Sequence, residues 1–225
     1  MSTKNMVRRA GYLLTLAVCG TGLALSTQGA MAAPPAKHAN DGAAAAPLSA
    51  GLAGGFEGAS RTGRHGGTVV PSDGKELGWG WMATADKRMG GNSSASVALV
   101  HPGAGGTQGA LRANGVLKSG FISPWAGAIW FPGNHPMQAT DLSGIKTLTF
   151  KVRGKPGSYT LLMMVGSTHS IPQSAPFTVT RDWQTVTIPL AETFPGAKLK
   201  RVYFLAFSAG NYGKFQFELD DVQLH

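Results

Sequence analysis

The sequence predicts an all-β fold of antiparallel strands stacked as a sandwich, and three observations carry that expectation. From Asp141 to Leu224, short apolar runs of strand length are separated by turn residues. Within them Leu148, Phe150 and Val152 alternate with Thr147, Thr149, Lys151 and Arg153, the period of a strand with one wet face. The chain also holds 32 glycines and 13 prolines and no helix signature of ten or more residues, a composition that suits many short strands joined by turns.

At the start, Lys4, Arg8 and Arg9 precede an apolar segment, Tyr12 to Leu25, that is short for a membrane span. With Ala30 and Ala32 around Met31, this reads as a signal peptide over residues 1–32, cleaved before Ala33. The protein is therefore expected to be exported, periplasmic or extracellular, and to meet a membrane only during export. Leu16-Ala17-Val18-Cys19 offers the alternative of a lipid anchor at Cys19, but Val18 stands where a small residue is needed and the apolar run continues past it. Cleavage leaves 17 Lys+Arg against 11 Asp+Glu, a formal charge of +6, and no cysteine, so no disulfide or thiol chemistry is expected. No basic run with interleaved aromatics points to nucleic acid. Residues 33–54 are rich in Ala, Pro and Gly and read as a disordered tether. Residues 55–225 are enough for one domain.

Along that domain, Trp79-Gly80-Trp81 has period two, which places both indoles on one face if the segment is a strand. Met89 to Ser93 turns the chain into a strand over 94–100. Pro102 to Gly109 is glycine-rich but lacks the spacing of a dinucleotide loop and leads into a strand-like run, Ala110 to Val116. Ser123 to Phe131 reads as a further strand in which Gly127 allows a close backbone approach. After the alternating strand at 147–153, Tyr159 to Val165 is apolar on both parities and is expected mid-sheet. Trp183 to Leu190, Arg201 to Phe207 and Phe215 to Leu224 complete the set. In the last, the apolar parity changes from Phe215, Phe217 and Leu219 to Val222 and Leu224, which predicts a bulge at Asp220-Asp221.

Phe56-Glu57, Gly78-Trp79-x-Trp81, Asp86-x-x-Met89-Gly90-Gly91-x-Ser93, Pro124-Trp125-Ala126-Gly127, Asp141-Leu142-Ser143, Trp183-x-x-Val186-x-Ile188-Pro189 and Phe217-x-Leu219-Asp220-Asp221-Val222 occur in that order. Together they resemble the complex I intermediate-associated protein 30 domain. That family is similar to the family 11 carbohydrate-binding modules and belongs with the galactose-binding-like jelly rolls. The resemblance implies a two-sheet jelly-roll β-sandwich from about Phe56 to Leu224. It also implies a structural calcium between the first and last strands, at Glu57 and Asp221; a solvated strand end without metal is the alternative reading of the same residues.

Catalysis is not expected. There is no G-x-S-x-G, the six histidines lack metal-ligand spacing, and the acidic residues are few. For a ligand, a concave sheet face or edge loops would offer aromatic plates and polar groups, and the candidates are Trp125, Trp130, Tyr159, His169, Tyr203 and Tyr212. The tryptophans also read as core residues. Two functions follow: a non-catalytic module that binds carbohydrate, or an envelope or respiratory-complex assembly factor acting through protein contacts. The partner is accordingly a glycan or an envelope protein; the oligomeric state is open.

Overall fold

The computed structural model describes residues 45–63 and 67–225, and Ala44–His225 form one compact unit. The expected signal peptide, its cleavage site, Cys19 and the first part of the tether lie outside the described residues. The first strands are β1 (Gly51–Gly54), β2 (Arg61–Thr62), β3 (Thr68–Pro71), β4 (Gly80–Ala85), β5 (Ser94–Val100), β6 (Ala110–Leu117) and β7 (Ala126–Phe131). Then come β8 (Thr147–Gly154), β9 (Gly157–Val165), β10 (Gln173–Val179), β11 (Gln184–Pro189), a single helical turn α1 (Leu190–Thr193), β12 (Val202–Ala209) and β13 (Gly213–Leu224).

These strands make two antiparallel sheets. One runs β11-β8-β13-β6-β5, with β1 added beside the end of β13; the other runs β10-β9-β12-β7-β4-β3-β2. As expected, β9 sits inside its sheet, between β10 and β12. The bulge also falls where the parity changed: the β13–β8 register shifts between Asp220 and Gln223, and Asp221 has φ 52. Gly127 is needed for close approach, since a Cβ there would overlap the Phe207 carbonyl oxygen of the neighbouring β12.

Between the sheets the aromatic rings form a continuous row. Phe56 packs on Trp81 at 5.3 Å, Trp81 on Phe207 at 5.6 Å, Phe207 on Phe150 at 5.0 Å and Phe150 on Phe177 at 5.3 Å. Most of these contacts are edge-on, the geometry that the ring quadrupole favours. All the described core residues lie within residues 53–224, so the compact unit carries its own core.

The last residues of the expected tether are ordered. Instead of continuing to residue 54, the chain is already paired at Pro47, which bridges Asp141, and β1 pairs with β13 from Gly51↔Leu224 onward. Ala53 is buried, and its carbonyl accepts a hydrogen bond from Trp81 Nε1 at 2.8 Å. Small residues order here because backbone partners and a buried indole are supplied from elsewhere in the chain, which composition does not reveal.

Candidate functional site

Alternation gives the seven-stranded sheet an outer face as well as a core face. In β4, Trp81, Ala83 and Ala85 join the core, which leaves Met82 and Thr84 on the outside. Met82 lies opposite Ile129, Ile129 opposite Ala206, and Ala206 opposite Leu162, so one row across four strands is apolar. The next row, Thr84, Gly127, Ser208 and Thr160, is small or hydroxylated. Ile129, Phe131 and Ala206 are buried on this face, and Trp79, Met82, Met137, Leu162 and Phe204 pack against them half-buried.

Two indoles bracket the face. Trp79 donates its amide to the Phe131 carbonyl at 2.9 Å and sets its ring edge-on to Phe131 at 5.9 Å. Trp125 donates Nε1 to Thr84 Oγ1 at 3.1 Å and meets Phe121 edge-on at 5.7 Å. Both remain half-buried. Trp79 sits beside the last residue of β7 and Trp125 just before its first, so strand rise puts them about 20 Å apart.

The expectation that Trp79 and Trp81 share a face is corrected. Trp81 is in the core and Trp79 is outside, because β4 begins only at Gly80, and Gly78 (φ 80) and Gly80 (φ 123) break the alternation before it.

The outer face of the six-stranded sheet is charged instead. Glu218 Oε1 accepts from Arg112 Nε at 2.9 Å and Nη2 at 2.7 Å, and Oε2 accepts from Arg153 Nε at 2.7 Å. Arg153 in turn stands 4.7 Å over the Trp183 ring. Sequence reasoning missed both this network and Trp79. Arg112 and Glu218 are 106 residues apart, and only strand register brings them together.

Two buried aspartates hold loops. Asp86 accepts from the Ser93 amide at 2.8 Å, the Ser93 hydroxyl at 2.7 Å and the Trp125 amide at 3.3 Å, and a Cβ at Gly91 would overlap its carboxylate. That cluster explains Asp86-x-x-Met-Gly-Gly-x-Ser as a structural unit and fixes the approach of Trp125 to the outer face. Asp220 Oδ2 accepts from the Ala104 amide at 2.7 Å and Thr107 Oγ1 at 2.6 Å, which fastens the glycine-rich loop to β13. Burial pushes its carboxyl above the usual range despite these hydrogen bonds.

The other candidates scatter. Trp130 (2% exposed), Tyr159 (3%) and Tyr203 (3%) are buried, which corrects their assignment as surface ligand contacts. Trp130 Nε1 donates to the Leu77 carbonyl, the Tyr159 hydroxyl to the Lys155 carbonyl, and Arg201 to the Tyr203 hydroxyl. Tyr203 falls at a register shift between Val202 and Phe204, so simple alternation fails there. His169 and Tyr212 are exposed but lie on loops at opposite ends of the sandwich, after β9 and before β13.

Glu57 and Asp221 do not fit a shared cation. Asp221 is 3.1 Å from Lys151 Nζ and accepts from Gln223 at 2.7 Å, whereas Glu57 accepts from the Gln108 amide at 3.0 Å. A calcium ion bridging them would have to displace an ammonium group. Among the described residues no group of three or more His, Cys, Asp or Glu side chains converges.

The family model described as complex I intermediate-associated protein 30 matches residues 73–219, well over half of the chain. The chain belongs to the complex I intermediate-associated protein 30 family. Its motif residues are now accounted for physically in this family member: Trp81 fills the core, Asp86 and Gly91 build a turn, and Asp220 fastens a loop. No curated protein matches the chain. The fold is similar to the family 11 carbohydrate-binding module of the cellulosomal cellulase Lic26A-Cel5E of Clostridium thermocellum, at 13% identity and a TM-score of 0.53, covering 80% of this chain and 95% of that one. A family 11 module from Clostridium thermocellum in complex with a β-1,3-1,4-mixed-linked tetrasaccharide is similar at 15% identity and a TM-score of 0.49, covering 69% and 93%. At 13% identity the likeness to the first of these is one of fold, the jelly-roll sandwich.

Proposed function

We propose that the protein is an exported, non-catalytic module that binds a carbohydrate chain across the outer face of the seven-stranded sheet. The observation that carries this reading is the face itself: an apolar row with a hydroxylated row along one side, bracketed by the half-buried Trp79 and Trp125. Apolar sugar faces stack on indoles, while the hydroxyls of Thr84 and Thr160 answer those of the sugar. A span of about 20 Å suits an oligosaccharide rather than a single sugar. The shared fold with a carbohydrate-binding module supports the reading.

Family membership favours a second reading, an assembly factor that uses protein–protein contacts in the cell envelope or a respiratory complex. A glycan array on the unit from Ala44 onward separates the two. Binding that Trp79→Ala and Trp125→Ala weaken, but Trp183→Ala on the opposite sheet does not, supports the module. No binding across plant, microbial and host polysaccharides, together with a specific protein recovered by pull-down, overturns it in favour of the assembly factor.

A further inference from the structure

Strand register gathers five connections at one end of the sandwich. Leu117 pairs with Gly213, which sets Lys118 and Tyr212 side by side beyond the ends of β6 and β13. The Ser93 hydroxyl accepts from the Lys118 amide at 3.0 Å, which brings in the turn after β4. Lys155 Nζ donates to the Lys214 carbonyl at 2.7 Å, and the Gly154 amide donates to the Thr180 carbonyl at 2.8 Å, which adds the turns after β8 and β10.

The loop tips at this end are unusual. Ile122 is 87% exposed and Tyr212 is 66% exposed, two of the three exposed large apolar side chains among the described residues. The same end carries the exposed Lys87, Arg88, Lys118, Lys155, Arg181 and Lys214. The acidic groups on these connections are the exposed Asp182 and Asp86, which is buried against Ser93 and Trp125.

We propose that this end of the sandwich docks on an anionic lipid surface, with Ile122 and Tyr212 entering the interface and the exposed lysines and arginines meeting the headgroup phosphates. Basic side chains alone would suit any polyanion. A fully exposed isoleucine at a loop tip gains nothing from a dissolved polyanion or from a sugar, but it gains burial in the acyl boundary of a bilayer. Each basic side chain near an anionic leaflet adds its own attraction, and six are exposed at this end. This docking does not depend on the glycan reading. Trp125 borders both surfaces and is left unchanged in the test, so either reading can fail alone.

The test is co-sedimentation of the unit from Ala44 onward with vesicles of phosphatidylcholine, and of phosphatidylcholine mixed with phosphatidylglycerol. Binding is expected to the mixed vesicles, to fall with added salt, and to be weak on phosphatidylcholine alone. Ile122→Ser with Tyr212→Ser, and separately Lys118→Glu with Lys214→Glu, should each weaken it about tenfold or more. Two controls at the other end, the exposed Ile171→Ser and the pair Lys198→Glu with Lys200→Glu, should leave it unchanged. All these side chains are exposed, and a melting curve of each variant checks that it is folded. Three results overturn the proposal: equal binding to both vesicle types, equal loss in the controls, or loss with the lysine variants alone, which would mark a site for soluble polyanions.

Discussion

Asp220 shows how much one side chain can hold. Its carboxylate receives the Ala104 amide, the Thr107 hydroxyl and the Asp221 amide, so Asp220→Ala leaves the buried Ala104 amide unpaired, at a cost of about 1–3 kcal/mol. Urea denaturation at neutral pH should show the loss, with protease cleavage appearing first in the loop between β5 and β6. The same burial gives a pH dependence with a definite sign. Because the folded carboxyl titrates above its unfolded value, the native state binds the extra proton, and Asp220 contributes most when protonated. Stability relative to Asp220→Asn should therefore decline as pH rises from the ordinary carboxylate range through the raised folded value, and stay level below it. Denaturation midpoints of the two proteins over the acidic range check this; a difference that grows with pH would contradict it. The bulge beside Asp220 was legible, because a change of apolar parity along a strand needs an extra residue. Which of the two aspartates faces the loop, and which faces Lys151, was not legible, since φ at Asp221 decides it and no pattern encodes that angle.

Among the elements, those with period two were readable and those held by distant backbone were not. Leu148, Phe150 and Val152 announce β8, and the alternation of Ala175, Phe177 and Val179 in β10 was there to be read. In contrast β1, Gly51-Leu52-Ala53-Gly54, has no period of its own and becomes a strand because β13 offers partners. The candidate site divides in the same way. Trp125 could be proposed from its residue type, but the face it belongs to is made of Met82, Ile129, Leu162 and Ala206 from four strands and exists only through their register. Trp79 reaches that face through the glycines on either side of it. Gly78 has φ 80, and a Cβ there would overlap the Phe131 carbonyl oxygen and crowd the Trp130 indole. Gly78→Ala should cost about 2 kcal/mol or more and withdraw Trp79 from the face, seen as a lower melting temperature with weakened glycan binding. Gly74→Ala, at a similar φ of 87 but with nothing near its Cβ, should cost less, and the comparison isolates the steric part.

At the scale of the whole molecule the two sheets divide the work: one turns a charged network outward, the other an apolar face. The opening segment closes onto β13 by backbone pairing, and Asp221 already has Lys151 of the neighbouring β8 beside it. Calorimetry of chelator-treated protein is therefore expected to give the same melting temperature with and without millimolar calcium. A rise of several degrees that Asp221→Ala abolishes would show that the ion displaces Lys151. The position of β13 has a further consequence. It lies in the middle of the six-stranded sheet, between β8 and β6, yet it is the last of those strands to leave the ribosome. Until it emerges, β8 and β6 have open edges toward one another, and the rings of Phe215 and Phe217 are missing from the core. The six-stranded sheet of the nascent chain therefore cannot close before β13 is made, and until then its unpaired edges are open to the wrong partners.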